Sequence, residues 1–110
     1  MAMKVFGLAA VMLLSASHFA VSAPPFNCSV AAEPAEIAIC DSAELGLYDR
    51  SMNRLYVDKR VALKAAGKLD DWEALRLDQR AFLKTRNECG YETACLTGLY
   101  KKRNELLAKP

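Results

Sequence analysis

The 110-residue sequence predicts an all-α fold, a small antiparallel bundle of one short and three longer helices stapled by two disulfides. Three observations predict it. Apolar residues recur at steps of three and four along three segments, which is helical spacing. No run alternates apolar and polar residues for long enough to make a strand. Four cysteines follow an amino-terminal export signal, the setting in which small domains add cross-links.

The export signal occupies residues 1–23 and the helical domain residues 24–110. Lys4 supplies the positive start, and residues 5–14 form an uncharged apolar run. That run is shorter than the roughly 20 residues a membrane span takes. Ala20, Ser22 and Ala23 are small, which places cleavage after Ser22 or Ala23. No cysteine stands there to carry a lipid. The expected product is periplasmic or secreted and keeps no stable membrane anchor.

Each helix has its own signals. Pro34 suits a first helical turn, because its missing N–H has no partner there anyway. Glu36 adds a carboxylate where the helix dipole favours one, and Ile37 and Ile39 face inward. A short helix over 34–40 follows, preceded by an irregular stretch over 28–33. Asp41 or Ser42 caps the second helix. Its apolar positions are Leu45, Tyr48, Met52, Leu55, Ala62 and Ala66, and Gly67 stops it. Gly46 weakens it by about 1 kcal/mol against alanine. Asp70 and Glu73 read as a capping box for the third helix. Trp72, Leu75, Gln79, Phe82 and Arg86 share its face, and Cys89 and Gly90 end it. Thr93 caps the last helix, whose stripe is Leu96, Leu99, Arg103 and Leu106.

The cysteines decide the chemistry. Eleven residues separate Cys28 from Cys40 and five separate Cys89 from Cys95. Neither gap is a zinc spacing, and no C-x-x-C redox pair is present. Disulfides remain, with three possible pairings. Cys28–Cys40 and Cys89–Cys95 are expected, since each clips a turn to a helix end. Each closed loop stabilises by roughly 2–3 kcal/mol in the chain-entropy model.

Composition excludes further classes. Loss of residues 1–23 removes Lys4 and His18, leaving 14 basic against 13 acidic residues, a net charge of +1. That balance argues against nucleic acid as partner. A chain without histidine holds no His-based triad, general base or metal ligand. No catalytic residue, metal or cofactor is expected.

Asp49, Arg86 and Arg103 fall on or beside inward faces, with Glu36 nearby. They are expected to form a polar network that joins helices, since charges inside are normally paired. Two alternatives stand beside it. Glu36 and Asp49 form a carboxylate pair for cell-wall hydrolysis, directly or as an accessory factor. Or a small ligand binds between helices beside Arg86 and Arg103.

The ordered set Phe26, Cys28, Glu36, Ile39, Cys40, Leu45, Asp49 and Tyr56, then Gln79, Leu83, Arg86, Cys89, Cys95, Leu96, Tyr100, Arg103 and Leu106, resembles the LprI N-terminal-type domain. The resemblance covers nearly the whole mature chain. Phe82 stands where that family usually carries tryptophan. The name-giving member is a lipoprotein that inhibits lysozyme. The resemblance therefore implies an exported, non-enzymatic binding domain whose partner is lysozyme or another envelope protein. Asp70, Asp71, Glu73 and Asp78 are read as capping and dipole charges on a solvated face. With Glu88 and Glu92 they are also the expected surface toward a basic lysozyme. Trp72 and Tyr91 are the aromatic anchors of that reading, against a core role for Trp72 and packing on the disulfide for Tyr91.

Overall fold

The computed structural model describes residues 24–110; the expected export signal lies outside them. A 3₁₀ turn at Cys28–Val30 leads into four helices: α1 (Pro34–Cys40), α2 (Ala43–Ala65), α3 (Leu69–Glu88) and α4 (Thr93–Ala108). No strand occurs among the described residues. The 3₁₀ turn replaces the expected irregular lead-in because the Asn27 side chain caps it, accepting from the Ser29 N–H at 3.0 Å.

The helix ends follow from local chemistry. Pro34 opens α1, and the Ser42 hydroxyl caps α2 by accepting from the Leu45 N–H at 3.1 Å. Gly67 sits at φ +74°. Its N–H reaches the Lys64 carbonyl at 3.0 Å, and the Lys68 N–H reaches Leu63 at 2.9 Å. This doubled bond is the Schellman stop, which needs a residue in the left-handed region. The stop is so tight that α3 begins at Leu69, with Lys68 at the cap position and no side-chain cap. The expected capping box does not form. Asp70 and Asp71 lie inside the first turn of α3, and Glu73 pairs with Arg76 at 2.6 Å instead. Likewise Glu92, not Thr93, takes the cap position of α4.

α3 runs antiparallel to both neighbours, while α2 and α4 run the same way. Tyr100 meets Asp49, and Lys109 accepts a hydrogen bond from Lys59 at 2.9 Å, so both numbers climb together. α1 lies across α2 and α3 at one end. Both cross-links form there, Cys28–Cys40 and Cys89–Cys95, with Cα atoms 5.8 and 5.7 Å apart.

The fully buried side chains gather at that same end: Ile39, Leu45, Leu96 and Tyr100. Burying each large apolar side chain stabilises by roughly 1.5–3 kcal/mol. Met52, Tyr56 and Leu107 extend the core along the α2–α4 seam. The stripe of α4 is Leu96, Tyr100, Arg103 and Leu107, and Leu106 is exposed. Ala62 and Ala66 are also exposed, because α4 ends before the far turn of the hairpin. No described helix is long and apolar enough to cross a membrane.

Candidate functional site

Two buried polar clusters tie the helices together. The first joins all four. Asp49 of α2 is buried and accepts from the Tyr100 hydroxyl of α4 at 2.5 Å. Arg86 of α3 sets one terminal nitrogen 3.6 Å from Asp49 and the other 3.5 Å from Glu36 of α1. Its closest bonds go to the Asn87 side-chain carbonyl, at 2.9 and 3.2 Å. Phe26 covers the guanidinium, 5.9 Å from its ring centre. Burial pushes the Asp49 carboxyl above its ordinary range; the Tyr100 hydroxyl and Arg86 pull it back, and Glu36 adds a further upward push. Burial and the Asp49 carboxylate together push the Tyr100 phenol far above its usual range.

Arg103 belongs to the second cluster. It donates to the Gln79 side-chain carbonyl at 3.2 and 2.8 Å and to Asp78 at 2.5 Å. Gln79 in turn donates to the Met52 sulfur at 2.9 Å. The guanidinium lies 5.4 Å from the Phe82 ring, and Phe82 meets Tyr100 edge-on at 5.6 Å. At position 82 this smaller ring thus bridges an arginine and the central tyrosine.

Above the first cluster lies an open depression of about 330 Å³. Glu36, Asp49 and Arg86 line it together with Phe26, Met52, Asn53, Gln79 and Leu83. Glu36 and Asp49 therefore share one hollow, with the Arg86 guanidinium 3.5 Å from Glu36 and 3.6 Å from Asp49. A pair that cleaves a glycosidic bond must flank that bond with open space between. Arg103 does not line the hollow.

The acidic candidates divide. Asp70 and Asp71 open α3, while Glu88 closes it. Eighteen residues of helix separate Asp70 from Glu88, about 27 Å at 1.5 Å per residue. They form two patches, not one. Arg76 holds the Glu73 carboxyl below its usual range, chiefly by hydrogen bonding. Asp78 is committed to Arg103. Tyr91 is 63 % exposed between Glu88 and Glu92, on the turn that Cys89–Cys95 closes. Trp72 is half-buried, with the Lys64 ammonium 5.5 Å from its ring.

The residue patterns leave two participants in the first cluster without a role, Tyr100 and Asn87. Tyr100 follows Leu96 by four, so its place in the inward stripe was available to the spacing. Asn87 carries no such signal, since it bonds its own neighbour Arg86.

No curated protein and no solved structure matches the chain. The family model described as lysozyme inhibitor LprI matches residues 27–108, a span that takes in every described helix and both disulfides. The chain belongs to the LprI family.

Proposed function

We propose that this protein is an exported inhibitor of lysozyme, a non-enzymatic domain that works by covering the lysozyme cleft. The observation that carries the reading is the family match from residue 27 to residue 108. The chemistry of the fold is consistent with it. The buried ionic groups Asp49, Arg86 and Arg103 join helices, and the exposed surface is what a macromolecular partner meets. Two disulfides suit an oxidising compartment, the periplasm or the outside of the cell.

The contact surface we assign is the Gly90 turn. Tyr91 is an exposed aromatic on the turn that Cys89–Cys95 closes, the kind of side chain that anchors interfaces. Glu88 and Glu92 flank it and meet basic groups around the cleft. Asp70 and Asp71, at the far end of α3, contribute to steering of a basic partner.

The test is a lysis assay with the disulfide-intact mature protein against lysozymes of several types. Inhibition near stoichiometric amounts is expected with at least one type. No inhibition at large molar excess refutes the reading. Tyr91→Ala should weaken inhibition by at least about ten-fold, the scale of an interface hot spot, with thermal stability unchanged. Asp70→Asn with Asp71→Asn should slow association at low salt and leave dissociation alone.

A further inference from the structure

We propose that the depression lined by Phe26, Glu36 and Asp49 is a receptor for an ammonium or guanidinium group. The argument starts from an inventory of hydrogen-bonding capacity. An ionised carboxylate has roughly four acceptor positions. Asp49 Oδ1 accepts from Tyr100, while Oδ2 accepts from no described residue. Among the described residues Glu36 is met by Arg86, at 3.5 Å. A charge-assisted N–H···O bond is ordinarily about 2.7–2.9 Å. Arg86 is therefore a distant neighbour to both carboxylates, and its shortest bond goes to Asn87. The hollow holds two carboxylates against one guanidinium, a surplus of negative charge and of acceptors.

A ligand that satisfies this surplus must donate hydrogen bonds and carry positive charge. Phe26, Met52 and Leu83 supply apolar wall for the methylenes behind such a headgroup. A volume of about 330 Å³ has room for an alkylammonium or alkylguanidinium group together with its methylenes. Specificity is local. Arg50 and Arg54 line the adjoining hollow on the other side of Asn53, and neither lines this one. The depression also lies near the Gly90 turn, since Arg86 precedes it by about one helical turn.

The cation has two possible sources, a free small amine or a lysine or arginine side chain of a bound protein. The second source rests on the inhibitor reading above; the site itself does not. Titration of the labelled, disulfide-intact protein with methylguanidinium chloride, followed by NMR, tests the site. Saturable shifts at Phe26, Asn53 and Leu83 are expected. Sodium chloride at equal ionic strength should not reproduce them, and tetramethylammonium, which has no N–H, should bind more weakly. Glu36→Gln should weaken binding by at least about five-fold, from loss of a single opposite charge at contact distance. Phe26→Leu, which keeps both carboxylates, should weaken it less. Shifts that grow linearly with concentration, or that survive unchanged in folded Glu36→Gln, overturn the proposal. A lysis assay with and without saturating methylguanidinium then separates the sources. Relief of inhibition identifies a basic side chain of lysozyme as the occupant, and unchanged inhibition identifies a free amine.

Discussion

Tyr100→Phe removes one oxygen atom and should cost a large share of the stability. The ring stays: it is fully buried, stacks on Tyr48 with centroids 6.4 Å apart, and receives Phe82 edge-on. What disappears is the 2.5 Å hydrogen bond to Asp49. A hydrogen bond to a charged group is worth about 1.5–3 kcal/mol, and among the described residues Asp49 would keep Arg86 at 3.6 Å. For a domain of this size 1 kcal/mol moves Tm by about 4–8 °C, so a drop of roughly 8–16 °C is expected for a loss of about 2 kcal/mol at neutral pH. The pH dependence gives the diagnostic sign. The folded Asp49 carboxyl is raised above 3.8, its ordinary value, so the folded state binds more proton there and stability on its account falls as pH rises through that window. The Tyr100 hydroxyl opposes the rise, and its removal lifts the folded value further. The difference between wild type and variant is therefore full at neutral pH and shrinks on acidification, as Asp49 takes up its proton. Urea denaturation at pH 7 and near pH 4 measures both. A loss under about 0.5 kcal/mol at pH 7, or an equal loss at both pH values, refutes the assignment of that bond as the main support of Asp49.

Arg103→Met should cost about 1–3 kcal/mol, because it strands the buried Gln79 carbonyl, whereas Asp78→Asn should cost under about 1 kcal/mol, since Asp78 is 62 % exposed. Denaturation midpoints of the two variants should differ in that order. Replacing Cys28 and Cys40 by serine should cost about 3 kcal/mol and replacing Cys89 and Cys95 about 2 kcal/mol, from closed loops with separations of 12 and 6. Urea titration of each serine pair reads the two losses. Gly67→Ala should cost about 1–2 kcal/mol with no change in the fold, since a Cβ there meets nothing within 4 Å and only the φ of +74° resists. Gly67→Asn should cost less in the same denaturation assay, because asparagine tolerates that region better.

The helices were legible because their start and stop signals are strong. Pro34, Ser42, Gly67 and Gly90 each act through the nearest few residues, and so does a disulfide over a short loop. The start of α3 was not legible in the same way. Asp70 and Glu73 have the right spacing for a box, but the turn at Gly67 is closed by two backbone bonds and carries the chain into helix two residues early. The choice of Leu106 over Leu107 shows another limit. Steps of three and four suit both residues, and only the packing of α4 in three dimensions buries Leu107 and exposes Leu106. The polar clusters depend on three-dimensional neighbours in the same way. Asp49, Arg86 and Arg103 stood out as charges on inward faces, yet their partners could not be paired from spacing. Arg86 meets Glu36 across 50 positions, while Arg103 meets Gln79 across 24. The acidic residues of α3 looked like one surface only because a string of letters has no length; as a helix they lie at opposite ends.

Between residues 57 and 78 no side chain is buried, while both covalent links sit at the other pole. Rigidity is therefore graded along the long axis of the molecule. The α2–α3 hairpin is free to breathe without disturbing its anchored base, as sparsely packed regions open at low free energy. A partner gripping the base meets a surface that is already ordered, and its grip is insulated from whatever the hairpin does.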